Sequence, residues 1–247
     1  MLYLSPSKIA TYKQCPFKYK CESDAQIKRA YKQDHPDPIF GNLIHACLTD
    51  YFLLPENKRT HEELRRIFKE KFMKNYDKHL KIFKNKTAIN HYIEEEKKQF
   101  KTFIDSSFSS GNLLPMEEKL LKWTIDEKII FMGLVDRVDL DNNELTIIDY
   151  KTGKLREENK DDRQFQVDCY EYLIAKKYPE YKIIKKILFF LKENKIVEYK
   201  FKDISDTEKE ILTIASIIEN DTKLEPKKNN LCNYCDYKII CPLFSNL

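Results

Sequence analysis

Glycine is scarce in this chain, four residues of 247, while 34% of the residues are charged. That balance points to a helix-rich surface and leaves little room for glycine-dependent loops. No apolar run approaches the ~18 residues a membrane-spanning helix needs, so no transmembrane segment is expected. The opening MLYLSPSKIATYKQC has no basic stretch followed by an apolar one, and so no secretion signal is read there. No G-x-x-x-x-G-K-S/T phosphate loop occurs, so the chain is not itself a helicase of that kind. The expected compartment is the cytoplasm, where the seven cysteines stay reduced and read better as metal ligands than as disulfides. A net charge of +4 permits nucleic-acid binding without demonstrating it, and 42% hydrophobic residues suffice for one sizeable core, so residues 1–247 are read as a single domain.

What is present is concentrated between Gly133 and Lys151, in GLVDRVDLDNNELTIIDYK. Two strand-like runs, Leu134 to Leu140 and Glu144 to Tyr150, flank Asp141-Asn142-Asn143. Asparagine tolerates positive φ, so the Asn-Asn pair predicts a tight hairpin. Opposed residues then have numbers that sum to 285, which sets Asp136 across from Asp149. Lys151 shares a face with Asp149 because side chains alternate along a strand. Opposed carboxylates, with Cβ atoms roughly 4.5–5.5 Å apart, repel one another. A divalent cation between them converts the repulsion into coordination. The plainer alternative is two solvated hairpin acids.

Upstream, Ser5 and Pro6 suit the start of a helix that Cys15-Pro16 interrupts. Residues 25–38 read as an irregular connection marked by Pro36 and Pro38. A helix follows to about Leu54, with Gly41, His45, Leu48 and Phe52 on one face; His45 is there either a hydrogen-bonded core histidine or a ligand. Residues 56–110 read as an insertion of two or three amphipathic helices roofing the site, whose lysines (Lys69, Lys71, Lys74, Lys78, Lys81, Lys84 and Lys86) are either a DNA-facing path or a solvated face. A strand is expected over Met116–Ile125, carrying Glu118. After a charged loop over 154–163, a helix from Gln164 to Lys177 places Gln166 and Tyr170 one turn apart. Residues 182–202 suggest a second hairpin around Glu193-Asn194-Lys195. A last helix over 206–220 starts near Ser205, with Glu208 placed for a capping box.

The tail carries Cys232, Cys235 and Cys241 as C-x2-C-x5-C, with no histidine nearby. A fourth ligand must therefore come from far away. Cys15 is the first candidate and Cys21 the second; Cys47 and Cys169 sit in apparent helix interiors. Four thiolates accept either Zn²⁺ or a 4Fe–4S cluster, and spacing alone does not choose.

Taken together, G-x-x-x-H, G-x-x-D-R-x-D, I-I-D-Y-K-T-G, Q-x-x-x-Y and the cysteine pattern resemble the RecB-like branch of the PD-(D/E)XK nucleases, in the family's order from Cys15 to Cys241. The iron–sulfur members of that branch, AddB-type nuclease domains and CRISPR-associated RecB-like exonucleases, are the most similar. The resemblance implies an α/β fold: a central mixed β-sheet flanked by helices, with a cluster on Cys15, Cys232, Cys235 and Cys241 joining the two ends of the chain. It implies Mg²⁺ or Mn²⁺ held by His45, Asp136, Asp149 and the carbonyl of Tyr150. Lys151 would orient the attacking water, Gln166 and Tyr170 would contact the scissile region, and Glu118 would be the acid that the family often carries on the preceding strand. The activity implied is a metal-dependent deoxyribonuclease, an exonuclease on single-stranded DNA ends in CRISPR adaptation or recombination and repair, with a helicase or CRISPR integrase as a possible partner. The alternative is a non-catalytic DNA-binding or assembly subunit.

Overall fold

The computed structural model describes residues 1–244. Strand β1 (Leu2–Leu4) leads into helix α1 (Pro6–Gln14), where the Ser5 hydroxyl accepts from the Lys8 N–H at 3.2 Å. Cys15 then caps the end of α1 and the start of α2 (Pro16–Ser23). The expected irregular connection over 25–38 is instead helix α3 (Ala25–Tyr31) and the start of α4 (Pro36–Leu53). Asp24 caps α3 through the Gln26 and Ile27 amides. Pro36 and Pro38 fall in the first turn of α4, where a missing N–H costs nothing, so those prolines mark a helix start and not a loop.

The insertion is three helices, α5 (His61–Lys74), α6 (Tyr76–Phe83) and α7 (Lys86–Ile104). Strand β2 (Leu120–Ile125) starts later than Met116, leaving Glu118 exposed in the loop ahead of it. Strands β3 (Ile129–Leu134), β4 (Arg137–Asp141) and β5 (Glu144–Lys151) follow. Helix α8 (Lys160–Lys177) starts four residues before Gln164, with Asp161 and Asp162 in its first turn, where negative charge suits the dipole. Strands β6 (Lys182–Phe190) and β7 (Lys195–Glu198) form the second hairpin, with Asn194 at φ 49°. Helix α9 (Ile204–Asn220) is capped by Asp203, not by a Ser205–Glu208 box; Glu208 instead accepts from the Tyr172 hydroxyl at 2.8 Å and pairs with Lys176.

The strands form two sheets where one central sheet was expected, in the orders β1-β3-β2 and β4-β5-β6-β7. Both are mixed: β1 runs parallel to β3, and β5 parallel to β6 through the α8 crossover. The chain breaks from one sheet to the other at Val135-Asp136. The β4–β5 register is the expected one, with Arg137 opposite Ile148 and Asp141 opposite Glu144. Asn142 and Asn143 take φ of 46° and 67°, the left-handed pair that a two-residue hairpin with native twist requires.

Alternation along β5 then divides the core. Leu145 and Ile147 face a cluster with α8 and α9, while Ile148 and Tyr150 face the cluster built on α4, α5 and α7. The insertion therefore flanks the Ile148–Tyr150 face instead of roofing the site; Gln99 of α7 reaches the Thr152 carbonyl at 3.4 Å. Of the seven lysines named above, Lys71 pairs with Asp50 and Lys78 with Asp34. Lys69 and Lys86 border an apolar groove with Phe72, Met73 and Ile93. Among the described residues, no helix is long and apolar enough to cross a membrane.

One buried acid in the insertion gives a stability prediction. Glu96 is 1% exposed and its Oε1 has no hydrogen-bond donor. Burial lifts its carboxyl to about 7; Arg65, whose Nε lies 3.5 Å away outside hydrogen-bond geometry, opposes the shift without cancelling it. The fold favours the protonated acid, so the stability is full below the ordinary glutamate value and is lost as pH rises through about 7. Glu96→Gln should leave the melting temperature unchanged near pH 4. At pH 8 it should stabilise by about 2–3 kcal/mol, read by thermal melts across the range.

Candidate functional site

Two glycines let the site close. A Cβ on Gly41 of α4 would sit 3.0 Å from Thr152 Oγ1, so glycine is what allows α4 to approach the D-Y-K-T-G turn. A Cβ on Gly133 of β3 would sit 2.7 Å from Leu173 and 3.3 Å from the Tyr170 ring, so glycine lets α8 lie against β3. One turn beyond Gly41, His45 Nδ1 stands 2.9 Å from Asp136 Oδ2. Asp136 lies in the bend just ahead of β4, and the same oxygen accepts the Tyr150 N–H at 2.9 Å. The β4–β5 ladder ends one pair short of the two aspartates, and the Asp136 carboxylate takes over the next backbone donor.

On the α8 side, Lys151 Nζ lies 2.7 Å from Asp149 Oδ2 and donates to Gln166 Oε1 at 2.8 Å. Gln166 Nε2 donates to the Tyr170 hydroxyl at 2.8 Å. His45 thus pairs with Asp136, Lys151 links Asp149 to Gln166 and so to Tyr170, and the Tyr150 N–H on Asp136 Oδ2 joins the two groups. Tyr150 contributes its N–H, while its ring is buried on the opposite face. Glu118 does not join; its neighbour Lys119 does, donating to the Asp136 carbonyl at 3.2 Å and to Thr49 Oγ1 at 2.9 Å.

The charges are strongly coupled. Burial raises the Asp149 carboxyl, with Lys151 opposing and Asp136 adding to the rise. For His45, burial disfavours the imidazolium, but the Asp136 hydrogen bond and the two carboxylate charges outweigh it and lift the ring above its ordinary value. Burial also raises the Tyr170 hydroxyl, reinforced by Asp149 and Asp136. The His45 ring and the Lys151 ammonium thus stand against the two acids, at 2.9 Å from Asp136 and 2.7 Å from Asp149.

Among the described residues, no three His, Cys, Asp or Glu side chains stand ready to hold a metal ion as they are. The donor chemistry nonetheless fits a divalent cation: the site supplies two carboxylates and an imidazole, with buried Asp149 Oδ2 faced by the Lys151 ammonium at 2.7 Å. Lys151 and Gln166 also line an open cleft whose other wall is α1 with Leu231, and Lys13, Lys154 and Arg163 give it a basic rim.

The four predicted cysteines border a second place, where among the described residues no three stand at ligating positions. Cys15, Cys232, Cys235 and Cys241 line one cavity between the α1–α2 junction and the tail, whereas Cys21 sits inside α2 and is not part of that lining. The Lys227 N–H donates to Cys15 Sγ at 3.4 Å and the Asn229 N–H to Cys232 Sγ at 3.3 Å. Amide donors of this kind favour thiolates, so the donor set fits a tetrathiolate centre. Asp236 anchors the tail to the turn before α4, with His35 at 2.6 Å and Lys32 at 3.5 Å.

Sequence reasoning missed two residues. Arg137 is 2% exposed and organises the loop beside β4; its signal was the alternation of Arg137 and Asp139 on one strand face. Lys119 had no signal, because its role depends on a bend visible only in three dimensions.

Residues 3–242 match the family model of the PD-(D/E)XK nuclease superfamily. A subunit of the ATP-dependent helicase/deoxyribonuclease of Clostridium tetani is 26% identical over 181 residues, 62% of this chain. That alignment covers 16% of the relative's own length, so the likeness is to one segment of a much larger protein. In three dimensions, the crystal structure of a candidate exonuclease from Eubacterium rectale superposes with a TM-score of 0.55 at 12% identity, over 95% of this chain and 87% of that one, a likeness of fold.

Proposed function

This chain belongs to the PD-(D/E)XK nuclease superfamily, and from that premise we propose that it is a metal-dependent deoxyribonuclease, an exonuclease acting on single-stranded DNA ends in CRISPR adaptation or in recombination and repair. The observation that carries the reading is the joined set of His45, Asp136, Asp149 and Lys151 beside a basic cleft. His45, Asp136, Asp149 and the Tyr150 carbonyl would hold Mg²⁺ or Mn²⁺, and the imidazole nitrogen makes Mn²⁺ at least as suitable. When bound, the ion would supply Lewis acidity toward the phosphate and a water of lowered pKa. Lys151, steadied by Gln166, orients the water for in-line attack on phosphorus. Tyr170, at the end of the same hydrogen-bond chain, contacts the DNA backbone. The products are a 5′-phosphate and a 3′-hydroxyl. Lys13, Lys154 and Arg163 guide the strand through its phosphates, so binding should weaken as salt rises. The likeness to one segment of a helicase/deoxyribonuclease component favours a helicase as partner, and a CRISPR integrase is the partner the CRISPR reading would require.

The test is cleavage of 5′- and 3′-labelled single- and double-stranded oligonucleotides with Mg²⁺, Mn²⁺ or EDTA. Stepwise loss of nucleotides from single-stranded ends, abolished by EDTA, is expected. No cleavage under any metal would reject the enzyme.

The cysteine site is proposed to hold a 4Fe–4S cluster with a structural role, with Zn²⁺ as the rival occupant. Clipping position 15 to position 232 closes a very long loop, where a cross-link restrains the unfolded chain most in the simple model. Protein purified without air should be brown, absorb near 400 nm and carry about four iron atoms. Cys235→Ala should lose the colour and melt at a markedly lower temperature. A colourless wild type holding one zinc would replace the cluster assignment.

A further inference from the structure

We propose that Lys119 is a positioning residue for the metal site, holding Asp136 in the bend that aims its carboxylate at His45; this rests on the nuclease reading above. The bend at Val135-Asp136 is where the chain leaves β3 and the first sheet ends. Both of its outward backbone groups go to one residue. The Val135 N–H donates to the Lys119 carbonyl at 3.3 Å, and the Asp136 carbonyl accepts from Lys119 Nζ at 3.2 Å. The same ammonium donates to Thr49 Oγ1 at 2.9 Å. Thr49 lies one turn past His45 on α4, so a single side chain ties the helix carrying one proposed ligand to the bend carrying another.

Lys119, Thr49, His45 and Asp136 also line one small cavity. The ammonium touches the Asp136 carbonyl and leaves the carboxylate to His45 and the Tyr150 N–H. The β4–β5 ladder ends at Arg137, so without the ammonium the Asp136 carbonyl loses its side-chain donor and the carboxylate is left to His45 and the Tyr150 N–H. Partners that orient a metal ligand without touching the metal commonly change affinity or activity by roughly 10–100-fold when removed.

Two measurements on Lys119→Met decide the matter. The first is amide exchange at Tyr150 in metal-free protein, since that N–H reports directly on where the Asp136 carboxylate lies. Exchange about 10-fold faster at Tyr150 than at neighbouring ladder amides is expected. The second is Mn²⁺ affinity by electron paramagnetic resonance, alongside kcat and KM on a single-stranded oligonucleotide. Mn²⁺ should bind about 10-fold more weakly with KM unchanged, Lys119→Arg should recover part of the loss, and Thr49→Val should fall between.

Unchanged exchange and Mn²⁺ affinity overturn the proposal, whether accompanied by a lower melting temperature (a structural role) or by a higher KM (a DNA contact). If Lys119→Met does not fold, Thr49→Val carries the same two tests, and unchanged values there overturn it equally. Should wild-type protein bind no Mn²⁺, the nuclease reading falls, while exchange at Tyr150 still decides whether Lys119 sets Asp136.

Discussion

Replacing Asp149 with asparagine should abolish cleavage while leaving the fold as stable as before, or more so. The two effects have opposite signs for one reason. Asp149 is 4% exposed, and burial together with the Asp136 charge makes its ionised form costly despite Lys151. A carboxyl raised in this way contributes stability that is full below its ordinary pKa and lost as pH rises through the raised value. At pH 8 the wild type bears that cost and the amide does not. Asparagine keeps the shape, so neither the strand nor the Lys151–Gln166 bond need move. What it removes is the charged donor for a cation worth several kcal/mol to the reaction, so the rate should fall by about 10³-fold or more. Melting curves at pH 6 and pH 8 in EDTA, paired with single-turnover cleavage, check both halves. A variant that cleaves at a tenth of the wild-type rate would remove Asp149 from the site.

Arg137→Met should have the largest effect on folding. The guanidinium donates through Nε to Asp139 Oδ1 at 2.6 Å and through Nη2 to the Ser110 carbonyl at 2.6 Å. Its Nη1 bonds the Phe108 carbonyl and, at 3.1 Å, the Tyr150 hydroxyl. It also stacks 3.9 Å from the centre of the Phe52 ring. Removing it strands Asp139, two loop carbonyls and a buried hydroxyl at once. Breaking a buried charged pair on one side costs about 3–5 kcal/mol. In a domain of this size that corresponds to roughly 6–20 °C in melting temperature. Arg137→Lys should recover little, because a lysine offers one point of charge where five forked donors are used. A loss below about 1 kcal/mol would show that the loop is held by other contacts.

These two residues also mark how far the sequence could be read. The hairpin was legible because register and strand alternation are local rules: Asn142-Asn143 fixes the turn, and the turn fixes the pairing up to Arg137 and Ile148. Asp136, expected across from Asp149, lies in the bend beyond the last pair and bonds the Tyr150 N–H. Helical spacing puts Gln166 and Tyr170 one turn apart and leaves His45 either a core histidine or a ligand; only the family resemblance assigns the three to the site. Spacing ranks Cys15 ahead of Cys21 as a partner for the tail cysteines, and it is Cys15 that lines a cavity with them. Cys21 nonetheless lies near enough to Cys235 for that neighbour to add to the rise that burial gives its thiol.

The misreadings share a physical origin. Pro36 and Pro38 suit a first helical turn as well as a loop, so the start of α4 was hidden. Asp203 and Ser205 can both cap a helix, and Tyr172 and Lys176 draw Glu208 away from the capping box. The chain passes between the two sheets at Val135-Asp136, where Lys119 meets it from 16 and 17 residues away. No periodicity encodes that contact. Glu118, expected as the family's acid on the preceding strand, lies exposed in the loop ahead of β2.

The central claim is that His45, Asp136 and Asp149 hold a catalytic cation beside Lys151. Its most direct test is a crystal of this protein soaked in Mn²⁺ and measured at the manganese edge. An anomalous peak in bonding contact with both carboxylates and the His45 ring is the predicted result. A soaked crystal with those three side chains still paired as they are here, and no manganese between them, would contradict it.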